Sequence, residues 1–155
     1  MRTFVAGVVL LGIAVTTIVQ AQGQSALRLS DEQVRRVVIL ALNNIGHARC
    51  ANNQPCAAAT AEEKSNPPIT ADEVRLAFNR GALSGAGQHC GLDWQSRNFA
   101  PMMRYWRTTM KKNERQAALL GLLHGIAQGM AKPDGQTVCT TQARENVDRL
   151  LAFRP

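Results

Sequence analysis

The sequence predicts an all-α protein: a small bundle of about five helices stapled by two disulfides. Apolar residues recur at helical spacing, helix-capping sequences recur along the chain, and no stretch shows convincing strand alternation. An even number of cysteines (Cys50, Cys56, Cys90 and Cys139) is typical of disulfide-bonded exported proteins. Three pairings are possible. We expect Cys50–Cys56, because that loop is short and easy to close, together with Cys90–Cys139.

Residues 1–21 have the features of a secretory signal. Arg2 provides a positive start, the run 4–19 is almost entirely apolar, and Ala21 ends a segment that a signal peptidase could read. The apolar run is shorter than the roughly 20 residues needed to cross a bilayer. We therefore expect cleavage after Ala21, export to the periplasm or beyond, and a single helical domain over residues 22–155.

The chain is basic, with a formal net charge of +7 that falls to +6 when residues 1–21, which include Arg2, are removed. Outside the cytosol, a positive excess favours an acidic protein, an anionic polymer or lipid headgroups as partner over nucleic acid. The alternative is a basic surface that serves solubility alone. We expect an envelope protein or anionic polymer as partner and no nucleic acid, with membrane-surface contact as an alternative. The sequence does not indicate an oligomeric state.

The first two long helices are expected to begin at capping boxes. In residues 30–33 the Ser30 hydroxyl and the Gln33 side chain can each accept from the other residue's backbone N–H, and residues 70–73 repeat the pattern. The first helix is predicted to end near residues 46–50. A proline-rich loop with a short turn at residues 60–63 should follow. The second helix is expected to dissolve in the glycine-rich stretch 81–91.

The remaining helices are defined by breaks in the sequence. A third helix begins near Asp93 or at Pro101, which the sequence does not decide. Residues 111–113 should separate it from a fourth helix running from Glu114 to about Met130. A turn at Lys132–Gly135 and a cap at Thr140 or Thr141 then precede the last helix.

The predicted fourth helix is apolar nearly all round, which indicates a central position in the bundle. Its glycines, Gly121, Gly125 and Gly129, recur every fourth residue, so we expect a neighbouring helix backbone to approach them closely. His124 and Gln128 are its only polar residues after residue 117. We expect His124 to face solvent, the alternatives being a buried hydrogen bond with Gln128 and a ligand or metal site.

No pattern in the sequence indicates catalysis. Most carboxylates fall at predicted helix starts, where they complement the free N–H groups, and Ser84 lacks the G-x-S-x-G order of a nucleophile elbow. The candidate polar site consists of His89, Asp93, His124 and Gln128.

We expect no cofactor and assign no metal site. Copper handling is kept as an alternative because scattered histidines and four methionines could supply soft ligands. Methionines at helical spacing are more often core residues. In this sequence they are Met102, Met103, Met110 and Met130.

The candidate contact surface lies on the third predicted helix. Its positive residues, Arg97, Arg104, Arg107 and Lys111, form a strip beside an apolar side that contains Trp106. Such a strip is typical of a solvated face, a contact with an acidic partner or, less often, a helix lying on a membrane.

The sequence therefore predicts an exported, non-catalytic helical protein that acts by binding. An inhibitor, immunity-type or accessory module of the bacterial envelope fits these features. The alternatives are a periplasmic copper handler and a hydrolase with an unrecognised site.

Overall fold

A computed structural model describes residues 29–131 and 137–155. The signal segment, its cleavage site and the turn at Lys132–Gly135 lie outside the described residues. Within them the fold is all-α, as predicted. The helices are α1 (Asp31–Asn43), α2 (Ala61–Ser65), α3 (Ala71–His89), α4 (Ala100–Thr108), α5 (Glu114–Met130) and α6 (Thr141–Leu151).

Capping residues set the helix starts. The capping boxes of α1 and α3 form as expected, and α2 and α5 begin with the same reciprocal arrangement at Thr60 and Asn113. The Thr140 hydroxyl accepts from the Ala143 backbone N–H and caps α6. Each such cap satisfies backbone N–H groups that a helix start leaves free.

The expectation that the second long helix dissolves after residue 81 is wrong, because α3 continues to His89. Its glycines face other helices. A Cβ on Gly85 would lie 2.6 Å from the carbonyl oxygen of Gln128 in α5, and one on Gly87 would lie 3.1 Å from a methyl of Leu151 in α6. Close packing on both sides outweighs the low helix propensity of glycine.

Between α3 and α4 the chain forms a π-helical turn over Gln95–Phe99, which continues directly into α4. The Asp93 carboxylate caps this turn by accepting from the Ser96 backbone N–H and hydroxyl. The two starts left open by the sequence thus belong to one continuous helical segment, with Pro101 in the first turn of α4.

The core forms around α5, whose buried residues contact α1, α3 and α4. Both predicted disulfides are present: Cys50–Cys56 closes a local loop, and Cys90–Cys139 joins the end of α3 to the residues before α6. No helix in residues 29–131 or 137–155 has the length and apolar character needed to cross a membrane.

Candidate functional site

The strip of α5 that carries His124 and Gln128 faces α3, which corrects the expectation that His124 is exposed. His124 is 1% exposed. A Cβ on Gly81 would overlap the His124 carbonyl oxygen, so the two helix backbones approach closely at this level. Because α5 is apolar on most sides, its sequence alone did not identify the side on which α3 packs.

The expected close approach at the glycines of α5 is also wrong. A Cβ on Gly121 would meet only the Met103 side chain, at an ordinary 3.5 Å. Among the residues that the structure describes, nothing lies within 4 Å of a Cβ on Gly125 or Gly129. The small residues that permit close packing are those of α3, at Gly81 and Gly85. Gly81 and Gly85 have the same small-xxx-small spacing, but the sequence analysis applied that signal only to α5.

His124 belongs to a buried polar network with residues that the sequence analysis did not select. Its Nε2 lies 3.0 Å from the Ser84 hydroxyl, which also accepts from the Asn98 side-chain amide at 2.7 Å. Asn98 in turn accepts from Arg80 Nε at 2.5 Å. The Ser84 hydroxyl can donate one hydrogen bond and accept two, so it pairs with Nε2 in either tautomer of neutral His124.

Burial first, and the positive charge of Arg80 second, lower the pKa of His124 from 6.5 to about 4. The imidazole is therefore neutral at pH 7. Trp94 and Phe99 cover it, with ring centroids 6.2 and 4.8 Å from that of His124. A serine and a histidine in hydrogen-bond contact resemble a nucleophile and its base.

Here, however, Ser84 is 0% exposed. A substrate carbonyl would have to come within about 3.5 Å of its oxygen, which the described residues bury. The network joins α3, α5 and the π-helical turn within the core.

The Arg80 guanidinium connects this network to α6. It donates to the backbone carbonyl oxygens of Leu150 and Leu151 at 3.2 and 2.5 Å and lies over the Phe153 ring. Burial lowers its pKa to about 10, so Arg80 stays charged at pH 7. These bonds satisfy carbonyl groups at the C-terminal end of α6, where a positive charge is favourable.

The structure does not bring the four residues of the candidate polar site into one hydrogen-bonded cluster. Gln128 has a different partner: its side-chain N–H donates to the side-chain oxygen of Gln88 at 3.0 Å. Asp93 caps the π-helical turn, and hydrogen bonds from Ser96 hold the pKa of its carboxyl below the usual value. His89 Nε2 is buried and has no partner among the described residues.

A groove runs along the outer side of the π-helical turn and α4, with a volume of about 500 Å³. Its floor is formed by Phe99, Ala100 and Met103, and its rim carries Arg104 and Arg107. Both arginines are exposed, whereas Met103 is 7% exposed and packs on the core. We call this feature the α4 groove. Gln95 and Thr108 complete its lining.

The four positive residues predicted as a contact surface differ in their availability. Arg97 is held by Asp148, to which it donates at 2.5 Å, and Arg107 lies 3.5 Å from Glu114. Within residues 29–131 and 137–155, no carboxylate lies within 4.0 Å of Arg104 or Lys111. Arg104 is thus the positive group of the α4 groove best placed to meet an external anion.

The histidines considered as copper ligands belong to no metal-binding cluster in the described part of the chain. Among the described residues no three His, Cys, Asp or Glu side chains are grouped so that they could hold a metal ion. Of the methionines considered for copper, Met102 is fully buried in the core and Met130 is 69% exposed at the end of α5.

Comparison of the chain with protein families, with curated protein sequences and with solved structures found no match.

Proposed function

We propose that the protein is exported to the bacterial envelope after cleavage near Ala21, and that it acts there as a non-catalytic binding module. The α4 groove is its contact surface. The signal-like N-terminus and the two intramolecular disulfides support export, because such bonds persist in oxidising compartments. An inhibitor, immunity-type or accessory role is compatible with this mode of action.

The observation that carries the proposal is the contrast between the buried polar groups and the α4 groove. Ser84 and His124 hydrogen-bond to each other out of contact with solvent. Arg104 is exposed at the rim of the α4 groove, and among the described residues no carboxylate lies within 4.0 Å of it. A guanidinium group beside apolar surface is a common anchor in protein interfaces.

Photo-crosslinking in the envelope tests this proposal. A photoreactive residue at Thr108, on the groove rim, should give a discrete adduct in the producing cells. Arg104→Glu should reduce its yield at least tenfold, since a charge-assisted hydrogen bond contributes about 1.5–3 kcal/mol and 1.4 kcal/mol corresponds to tenfold. Arg36→Glu is the control for the charge change, because Arg36 is an exposed arginine on α1 whose 2.9 Å contact with Glu32 is also exposed. The absence of an adduct, or equal loss in both variants, would contradict the proposal.

A further inference from the structure

We infer that the α4 groove binds a short acidic segment of a partner protein, which places an apolar side chain on Phe99 and Ala100 and carboxylates on Arg104 and Arg107. This inference rests on the binding role proposed above and adds the chemistry of the partner. The first support for it is the size and shape of the groove. A volume of about 500 Å³ accommodates a few side chains, and the groove follows a single helical segment over four turns.

The floor of the groove distinguishes a protein segment from a simple polyanion. Phe99 and Ala100 offer apolar surface, and an apolar side chain gains free energy by covering it. A polymer that carries only charged and hydroxyl groups would leave this floor uncovered.

The rim of the groove determines the sign of the partner's charge. Arg104 has no carboxylate within 4.0 Å among the described residues, and Arg107 has only the 3.5 Å contact with Glu114, where both side chains are about half exposed. A partner carboxylate can therefore bind Arg104 directly and compete with Glu114 for Arg107. The planar guanidinium can hold a carboxylate through two parallel hydrogen bonds.

A second groove, lined by parts of α1, α2 and α3, provides an internal comparison. It is nearly as large, about 470 Å³, and it also has an apolar floor. Its charged residues have both signs, because Asp31 lies there together with Arg35 and Lys64. The charged residues of the α4 groove are all positive, so charge complementarity selects an acidic occupant for it alone.

A membrane surface is the less suitable occupant of this face. A helix that lies on a membrane inserts its apolar side. The apolar side of α4 already packs in the core, where Trp106 is 2% exposed and Met102 is 0% exposed. What α4 presents to solvent is the positive rim and the narrow groove floor, which fit a protein segment better than a lipid layer.

Peptide selection tests the inference with the full disulfide-bonded protein as the target. A displayed library of random 12-residue peptides should yield sequences that combine Asp or Glu with a large apolar residue. Binding of an enriched peptide, measured by calorimetry, should weaken at least tenfold with Arg104→Glu. It should weaken equally with Ala100→Trp, which fills the floor without changing the charge.

Matched controls separate these effects from general damage to the fold. Arg36→Glu places the same charge change on α1, and Ala61→Trp alters an exposed alanine at the first residue of α2, as Ala100 is of α4. Both controls should bind the enriched peptide within twofold of the original protein. Circular dichroism should confirm that all four variants are helical.

The possible outcomes distinguish this inference from the proposed function. If polyglutamate binds as tightly as the enriched peptide, or if Ala100→Trp has no effect, the inferred apolar contact with the groove floor is wrong. Binding of anions by the positive rim would not be contradicted by that result. Enriched peptides without carboxylates, or no enrichment, would overturn the inference. Binding to phosphatidylglycerol vesicles without peptide binding would replace it with a membrane contact. Absence of the Thr108 adduct when Arg104 is intact is a separate result, which would overturn the proposed function itself.

Discussion

The close approach of α3 to α5 predicts opposite effects for the same substitution at two helical glycines. In Gly81→Ala the added Cβ would overlap the His124 carbonyl oxygen and lie 2.8 Å from the Ala127 Cβ. The opposing atoms are backbone and an inner Cβ, so neither can rotate away and the helices must separate. In Gly125→Ala the added methyl meets nothing within 4 Å among the described residues.

The magnitudes follow from two terms. Overpacking a core costs about 1–3 kcal/mol, and more where backbone must move, whereas alanine gains about 1 kcal/mol over glycine in a helix. We expect Gly81→Ala to lower the free energy of unfolding by about 2 kcal/mol, the upper end of the overpacking cost less the helix-propensity gain, and Gly125→Ala to raise it by up to about 1 kcal/mol.

Urea unfolding of the oxidised protein, followed by circular dichroism, measures both differences. If Gly81→Ala is as stable as the original protein, the described α3–α5 packing is incorrect. Destabilisation by Gly125→Ala would instead show that this side of α5 is covered in the folded protein.

Two further predictions concern pH and the disulfides. Folding lowers the pKa of His124 from 6.5 to about 4, so on acidification the unfolded chain binds a proton at His124 before the folded protein does. The free energy of unfolding should therefore fall by about 3 kcal/mol as the pH drops from 6.5 to 4. His124→Gln should remove that part of the pH dependence in urea unfolding, and identical pH profiles would refute the assignment. Replacing Cys90 and Cys139 by serine should cost about 4 kcal/mol against about 2 kcal/mol for Cys50 and Cys56, because the bridges span 49 and 6 residues. Equal losses of thermal stability in the two double variants would contradict this loop-length argument.

The sequence predicted features that depend on local chemistry. Capping residues identified the starts of α1 and α3, the break at residues 111–113 identified the start of α5, and cysteine spacing identified the pairing. The length of α3 was not predictable from propensity, because Gly81 and Gly85 weaken an isolated helix and become favourable only against α5. The stabilising effect of these two glycines depends on residues of α5 that lie 40 or more positions away in the sequence.

The candidate site was only partly predictable for the same reason. The positive strip of α4 could be read from helical spacing, but the pairing of Arg97 with Asp148 joins residues 51 positions apart. The burial of His124 depends on the orientation of α5, and a helix that is apolar nearly all round does not define its orientation by its own pattern. Ser84 was considered only as a nucleophile, so its role as the hydrogen-bond partner of His124 was missed.

The measurement that most directly tests the binding role is native mass spectrometry of the protein recovered undenatured from the envelope fraction of its producing cells. We expect a chain of residues 22–155 in complex with a second protein. Because of its two disulfides, this chain should be four hydrogens lighter than the reduced chain. The double variant Arg104→Glu, Arg107→Glu should show the same cleavage and the same two disulfides, with its mass shifted only by the two substitutions, and it should lack the partner. A bare chain in both samples, or a partner retained by the double variant, would contradict the assignment of the α4 groove as the contact surface.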